Sequence, residues 1–227
     1  MGTSKGYIAP TTPYWSSAKR AVTSFVKNRG SDSKAKAASK YATAMKSDMS
    51  SGGSFQSAAA GVIGFAQKVS SIGLDNALRE YNREDLIGKS SEEVWTELLH
   101  DFTNSGATVE DNMSADALSQ SLDNLDIEDL SDLGSVSVDI LLKEMLKEYI
   151  KGNFDFRYEE KISKGRTPAQ TSEILNDMRD YIANSIDSEL NLDSLKTVDF
   201  SNMGTSQIVD NALREAFSVF ERYYGEE

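Results

Sequence analysis

Apolar residues recur along this chain three and four positions apart, the spacing that lays one stripe along a helix. Ala18, Val22, Phe25 and Val26 form the first stripe and predict a helix from Trp15 to about Asn28, ended by Gly30 and Ser31. Asp32 is placed to cap a second helix through Met49, striped by Ala35, Ala38, Tyr41, Ala42 and Met45. After a Gly52-Gly53 turn, Phe55 to Val69 is dense in small residues: Ala58, Ala59, Ala60, Gly61, Gly64 and Ala66. Small side chains let a second backbone approach closely, so this segment is expected to be the tightly packed central helix.

A short helix is expected from Asp75 to Tyr81. Leu86-Ile87-Gly88-Lys89-Ser90 resembles the end of a phosphate loop, but Arg83 stands where that loop needs glycine. Gly88 instead closes one element and Ser90 caps the next, with Glu93 completing a Ser-x-x-Glu capping box. Val94, Leu98, Leu99 and Phe102 face inward from the helix that follows. Residues 103–136 read as loop-rich and acidic, with one short helix from Ala115 to Leu122, and mark the place where the domain 15–227 would subdivide. Val138 to Ile150 is strongly helical, whereas Phe154 to Ile162 alternates and fits strand or helix. Thr167 caps a helix that Pro168 opens and that runs to about Leu190. A last helix covers Thr205 to Tyr224, with Ile208, Val209, Leu213, Phe217 and Phe220 inward. No strand-turn-strand signature is present, so the fold class is all-α: an irregular multi-helix domain preceded by an extended tail. The hexapeptide Asp75-Asn76-Ala77-Leu78-Arg79-Glu80 recurs at 210–215, but no fixed period connects the copies and no solenoid follows.

The tail, residues 1–14, contains Pro10 and Pro13, two of the three prolines in the chain. Each fixes its own φ and biases the residue before it toward extended geometry. Gly2 and Gly6 loosen the backbone, and Thr3, Ser4, Thr11 and Thr12 offer no helical stripe. A segment of this kind is a cloning remnant, idle chain or something that another molecule reads. A small residue after Met1 favours removal of that methionine and leaves a Gly2 amine that titrates near neutrality. The N-myristoylation signal fails because Gly6 occupies its Ser/Thr position.

Hydrophobic residues make up 39% of the 227, enough for a real core. The absence of cysteine removes disulfides, thiolate catalysis and cysteine zinc sites. No apolar run follows the start and the longest uncharged stretch, Met49 to Gln67, is too polar for a bilayer, so a cytoplasmic protein without membrane association is expected. The net charge is −12, unevenly spread: residues 1–53 carry +7 and the remainder −19. Between Lys89 and Lys143 there are 13 acidic residues and no Lys or Arg. Such a stretch is a solvated face or a docking surface, and it disfavours direct nucleic-acid binding despite the basic, aromatic-bearing residues 15–49.

Candidate chemistry is sparse. His100, the one histidine, falls near a helix C-terminus, where an imidazolium serves structure. Ser-x-x-Lys occurs at Ser16, Ser24, Ser31 and Ser33, which reflects a Ser/Lys-rich composition rather than a dyad. Asp123, Asp126, Glu128, Asp129 and Asp132 lack the spacing and glycine of a calcium loop. No catalytic residue, metal ligand or cofactor is assigned, and the chain is expected not to be an enzyme.

The start Met1-Gly2-Thr3-Ser4, the tail ending at Trp15, a basic helix followed by Tyr41 and the Gly52-Gly53 turn, and an Ala-rich helix leading into Leu86-Ile87-Gly88-Lys89 and Ser-x-Glu-Glu-Val together resemble the QatB family of the bacterial Qat anti-phage system. The resemblance covers about the first half; the second half is similar only in being helical and acidic. It implies a non-enzymatic defence component working beside an ATPase, a TatD-like nuclease and a QueC-like protein, QatC. QueC-type chemistry activates a carboxylate with ATP and joins it to an amine, and the Gly2 amine is a suitable acceptor. The residues implied in partner binding or modification are Gly2, Thr3, Ser4, Lys5, Gly6, Tyr7, Pro10 and Pro13. The alternative is a helical adaptor that binds through its acidic folded surface while the tail is idle.

Overall fold

The computed structural model describes residues 11–49, 53–103, 108–200 and 204–222. Among the described residues the regular elements are all helical: α1 (Pro13–Asn28), α2 (Ser31–Asp48), α3 (Ser54–Ile72), α4 (Leu74–Glu80), α5 (Ser91–Phe102), α6 (Val109–Asn124), α7 (Val138–Ser163), α8 (Pro168–Glu189) and α9 (Thr205–Arg222), with 3-10 turns at Glu84–Leu86, Leu130–Ser135 and Asp193–Thr197. The expected all-α class holds. Among these residues no helix is long and apolar enough to cross a membrane.

α1 and α2 form a helical hairpin through Arg29, which adopts left-handed geometry (φ 50°) and caps α1 by donating its N–H to Phe25 O. The hairpin packs on α9, and α7 packs on both α6 and α8. α3 is the hub, touching α4, α5, α6, α7, α9 and the 3-10 turn at 130–135. Its small residues do what their composition predicts. A Cβ on Gly61 would stand 2.7 Å from the Phe102 ring, and one on Gly64 would stand 2.9 Å from the Phe200 carbonyl oxygen. One buried cluster runs from Trp15 to Phe220.

Several boundaries differ from expectation, each for a local reason. α1 begins at Pro13, not Trp15, because Thr12 caps it: its Oγ1 accepts from Trp15 N at 3.4 Å, and proline suits the first helical position. Pro13 and Tyr14 therefore belong to the helix and not to the extended tail. α2 begins at Ser31 with Gly30 as its cap, and Asp32 lies in its first turn, favoured there by the helix dipole. α6 replaces the short helix expected at 115–122. Its first half escaped the apolar pattern because its inward face is Asp111 and Ser114, with Ser121 in its second half. Ser114 and Ser121 satisfy their hydroxyls on the carbonyls of Glu110 and Ala117, at 2.7 and 2.6 Å. The alternating 154–162 segment is helix, continuous with the one before it through Gly152. Tyr149, Asn153, Phe154, Tyr158 and Ile162 carry the buried face onward, and Asn153 Nδ2 donates back to Tyr149 O at 3.0 Å. The last helix is described to Arg222; the remaining expected residues, to Tyr224, lie outside the described residues.

Candidate functional site

Trp15 marks where the folded core begins. Thr11 to Tyr14 are exposed, whereas Trp15 is 1% exposed. Its indole Nε1 donates to Asp48 Oδ2 at 2.5 Å, joining the first turn of α1 to the last turn of α2. The Arg157 guanidinium of α7 sits 4.3 Å from the ring centroid, a cation–π contact that covers the indole from the third side. Behind it Tyr41 meets Phe154 and Phe217 edge-on, at 5.4 and 6.0 Å, and donates its hydroxyl to Ile150 O at 3.2 Å. Full burial pushes the Tyr41 phenol well above its ordinary range, so it remains a neutral donor.

Of the residues that the sequence points to for partner binding, Pro13 is the one placed: an exposed first residue of α1. Gly2, Thr3, Ser4, Lys5, Gly6, Tyr7 and Pro10 lie outside the described residues. His100 falls in the last turn of α5 with its side chain exposed, as a helix C-terminus accommodates.

Sequence reasoning missed the cleft beside Trp15. It has a volume of about 230 Å³ and lies among the C-terminal end of α2, the N-terminal ends of α3 and α6, and the middle of α7 and α9. Met45, Met49 and Met113 make a soft apolar lining, with Val109 and Phe156 at its edge. Polar groups enter from Asp48, Gln56, Glu110 and Asn153. Gln56 is 3% exposed and donates Nε2 to Asp210 Oδ1 at 3.0 Å. A carboxylate only accepts, so this bond fixes the amide and leaves Oε1 as an acceptor; among the described residues nothing donates to it. Arg214 in turn donates Nε to Asp210 Oδ2 at 2.8 Å, holding the buried carboxylate in place.

Asp111 sets the relative position of the two helix starts that line the cleft. It closes a capping box with Thr108 at the start of α6 and accepts the hydroxyl of Ser54 at the start of α3. The Ser54 and Thr108 hydrogen bonds pull its carboxyl below the usual range. Burial pushes the Tyr149 phenol in the cleft wall upward, so it stays neutral.

A second groove lies between α5 and α6, with a volume of about 440 Å³. Trp95, Leu122, Ile127 and Leu130 form its apolar part, and Glu92, Asp123, Asp126 and Glu128 its rim. Trp95 is held by its Nε1 donating to Ser119 Oγ at 3.1 Å.

A family model described as "Qat anti-phage system associated protein QatB" matches residues 20–220. The chain belongs to the QatB family. The match extends through both halves, beyond the first-half resemblance visible in the residues, and starts after the Trp15 anchor, so the tail motifs lie outside it. QatB membership makes the protein a component of an anti-phage defence system. No curated protein and no solved structure matches the chain.

Proposed function

We propose that this QatB-family protein is a non-enzymatic component of a defence complex whose N-terminal tail is read by a QueC-like partner. The observation that carries this reading is the sharp boundary at Trp15. The core starts at a side chain held by Asp48 and Arg157, and the residues just before it, Thr11 to Tyr14, are exposed. The described chain thus enters the core from the surface at a fixed point. The Gly2 amine, freed by loss of Met1, is the group the partner takes up. In the modifying version, the amine attacks the partner's ATP-activated carboxylate and forms an amide, with loss of the activating group and a proton.

The test is co-expression with the QueC-like protein, read by capture and by intact mass. Deletion of residues 2–10, which spares the Thr12 cap, should leave the fold intact while removing capture, any added mass and phage protection. Undiminished capture and protection by the truncated chain would reject the tail reading.

One observation favours the second reading, an adaptor with an acidic docking surface. Among the described residues Glu92, Asp123, Asp126 and Glu128 have no Lys or Arg ion-pair partner, although they rim a groove that contains Trp95. A basic partner segment would find both charge and an aromatic face there. Neutralising the four carboxylates should then abolish capture while deletion of residues 2–10 does not.

A further inference from the structure

We infer that the cleft beside Trp15 is a docking site in cis for the chain's own N-terminal segment, residues 5–10. Three features of the cleft converge on such an occupant. Its lining is apolar and deformable: Met45, Met49 and Met113, with Val109, 55% exposed, standing at the edge. Such a wall suits Tyr7, Ile8 and Pro10. It also holds a buried acceptor in need of a donor, Gln56 Oε1, whose orientation is fixed by the bond from its Nε2 to Asp210. Leaving such a group unsatisfied is costly. Finally, a methyl placed on Gly53 would lie 2.6 Å from Gln56 Oε1 and 3.0 Å from Glu110 Oε1, so these two acceptor oxygens lie close together at the Gly53 end of the cleft. Glu110 has no ion-pair partner among the described residues. The spot fits an ammonium donor, and Lys5 is the one cationic side chain in residues 1–18.

Reach and connectivity favour this occupant over an untethered one. The first described residue, Thr11, precedes the Thr12 cap, and Trp15, one helical turn on, bonds directly to Asp48 of the cleft wall. Six residues in extended form span up to roughly 20 Å, which is the radius around Thr11 that Lys5 can search. A segment on so short a tether has an effective concentration in the millimolar range, so weak side-chain contacts suffice to fill the cleft. The regulatory consequence rests on the tail reading above: a docked segment is withheld from the partner, and partner binding must first displace it. The docking itself does not depend on that reading and is tested without any partner.

Lys5 supplies the readout. It is the one trypsin site before Lys19, and cleavage at Lys5-Gly6 is resolved by intact mass of the isolated full-length protein. A docked segment is cut through its released state, so cleavage should be at least about tenfold slower than in a synthetic peptide of residues 1–12. Val109→Arg, at an exposed position, fills the cleft edge and repels Lys5; it should restore the peptide rate. Ile8→Asp, outside the folded core, should do the same without any effect on folding. Cleavage of the wild-type chain at the peptide rate would overturn the inference. So would protection that survives both substitutions, or protection that disappears on dilution, which would assign the cleft to a second copy's tail.

Discussion

Trp15 Nε1 donates to Asp48 Oδ2 at 2.5 Å, a bond that closes the open end of the α1–α2 hairpin across 33 residues of sequence. It anchors the α1 end of the core at one point, with Thr11 to Tyr14 exposed before it. Trp15→Ala removes a fully buried indole and should cost about 3–5 kcal/mol in chemical denaturation. Asp48→Ala, which leaves the indole packed but its N–H unpaired, should cost about 1–2 kcal/mol. Deletion of residues 2–10 removes no core side chain and should cost less than Trp15→Ala, about 1.4 kcal/mol for a segment whose docked state is favoured tenfold.

Asp111 gives the fold an acid-sensitive joint. Its native carboxyl is held below its ordinary value by the hydroxyls of Ser54 and Thr108. A depressed native pKa stabilises at pH values above the unfolded-state pKa, near 4, and that contribution is lost as pH falls through the native value. The wild type should therefore lose stability below about pH 4 more steeply than Asp111→Asn, whose stability is lower at pH 7 and flatter across that window. Denaturant midpoints measured from pH 7 to pH 3 decide this, and parallel curves for the two proteins would refute it.

Gly64 separates helix propensity from packing. In an isolated helix Gly→Ala is worth about 1 kcal/mol in favour of alanine. In α3 the added methyl would stand 2.9 Å from the Phe200 carbonyl oxygen, backbone that has no rotamer to yield. Gly64→Ala should destabilise, by about 1–3 kcal/mol, as overpacking does. Gly152→Ala in α7, where a Cβ meets open space, should instead stabilise by up to about 1 kcal/mol. Thermal melts of both variants check the pair.

The Arg83 cluster looks stronger than it should measure. Arg83 donates to Asp85, Glu97 and Asp101, and these carboxylates are about half exposed. Exposed ion pairs in high dielectric contribute little, so Arg83→Gln should cost less than about 1 kcal/mol, and less again in 1 M salt.

The acidic surface of α5, α6 and the turn after them predicts that the purified protein alone does not bind duplex DNA at physiological salt, since phosphate repels it. A fluorescence anisotropy titration checks this; tight binding that weakens steeply with salt would contradict it.

The periodic stripes and the caps belong to the sequence itself. Ser90 with Glu93, and Thr167 with Pro168, start helices where their residue types require it, because a cap answers to the next three residues and to nothing farther away. The small residues of α3 likewise announced a close approach, though not which partners make it. What the sequence alone left undecided was set by contacts distant along the chain. The apolar pattern shows only part of α6 because serines and an aspartate face inward there, satisfied by carbonyls and by Ser54, and no apolar count registers a buried polar face that is already hydrogen-bonded. α7 runs through Gly152 because its buried face is packed by α6, α8 and α9, which outweighs the local cost of glycine. The twin hexapeptides show the same division. Asp75 lies exposed in α4, while Asp210 is buried between Gln56 and Arg214. Identical residues form helix in both places, with Ala and Leu buried in each, because helix formation and its apolar stripe are local, and the two aspartates take opposite environments because their burial depends on which neighbours the fold brings to them.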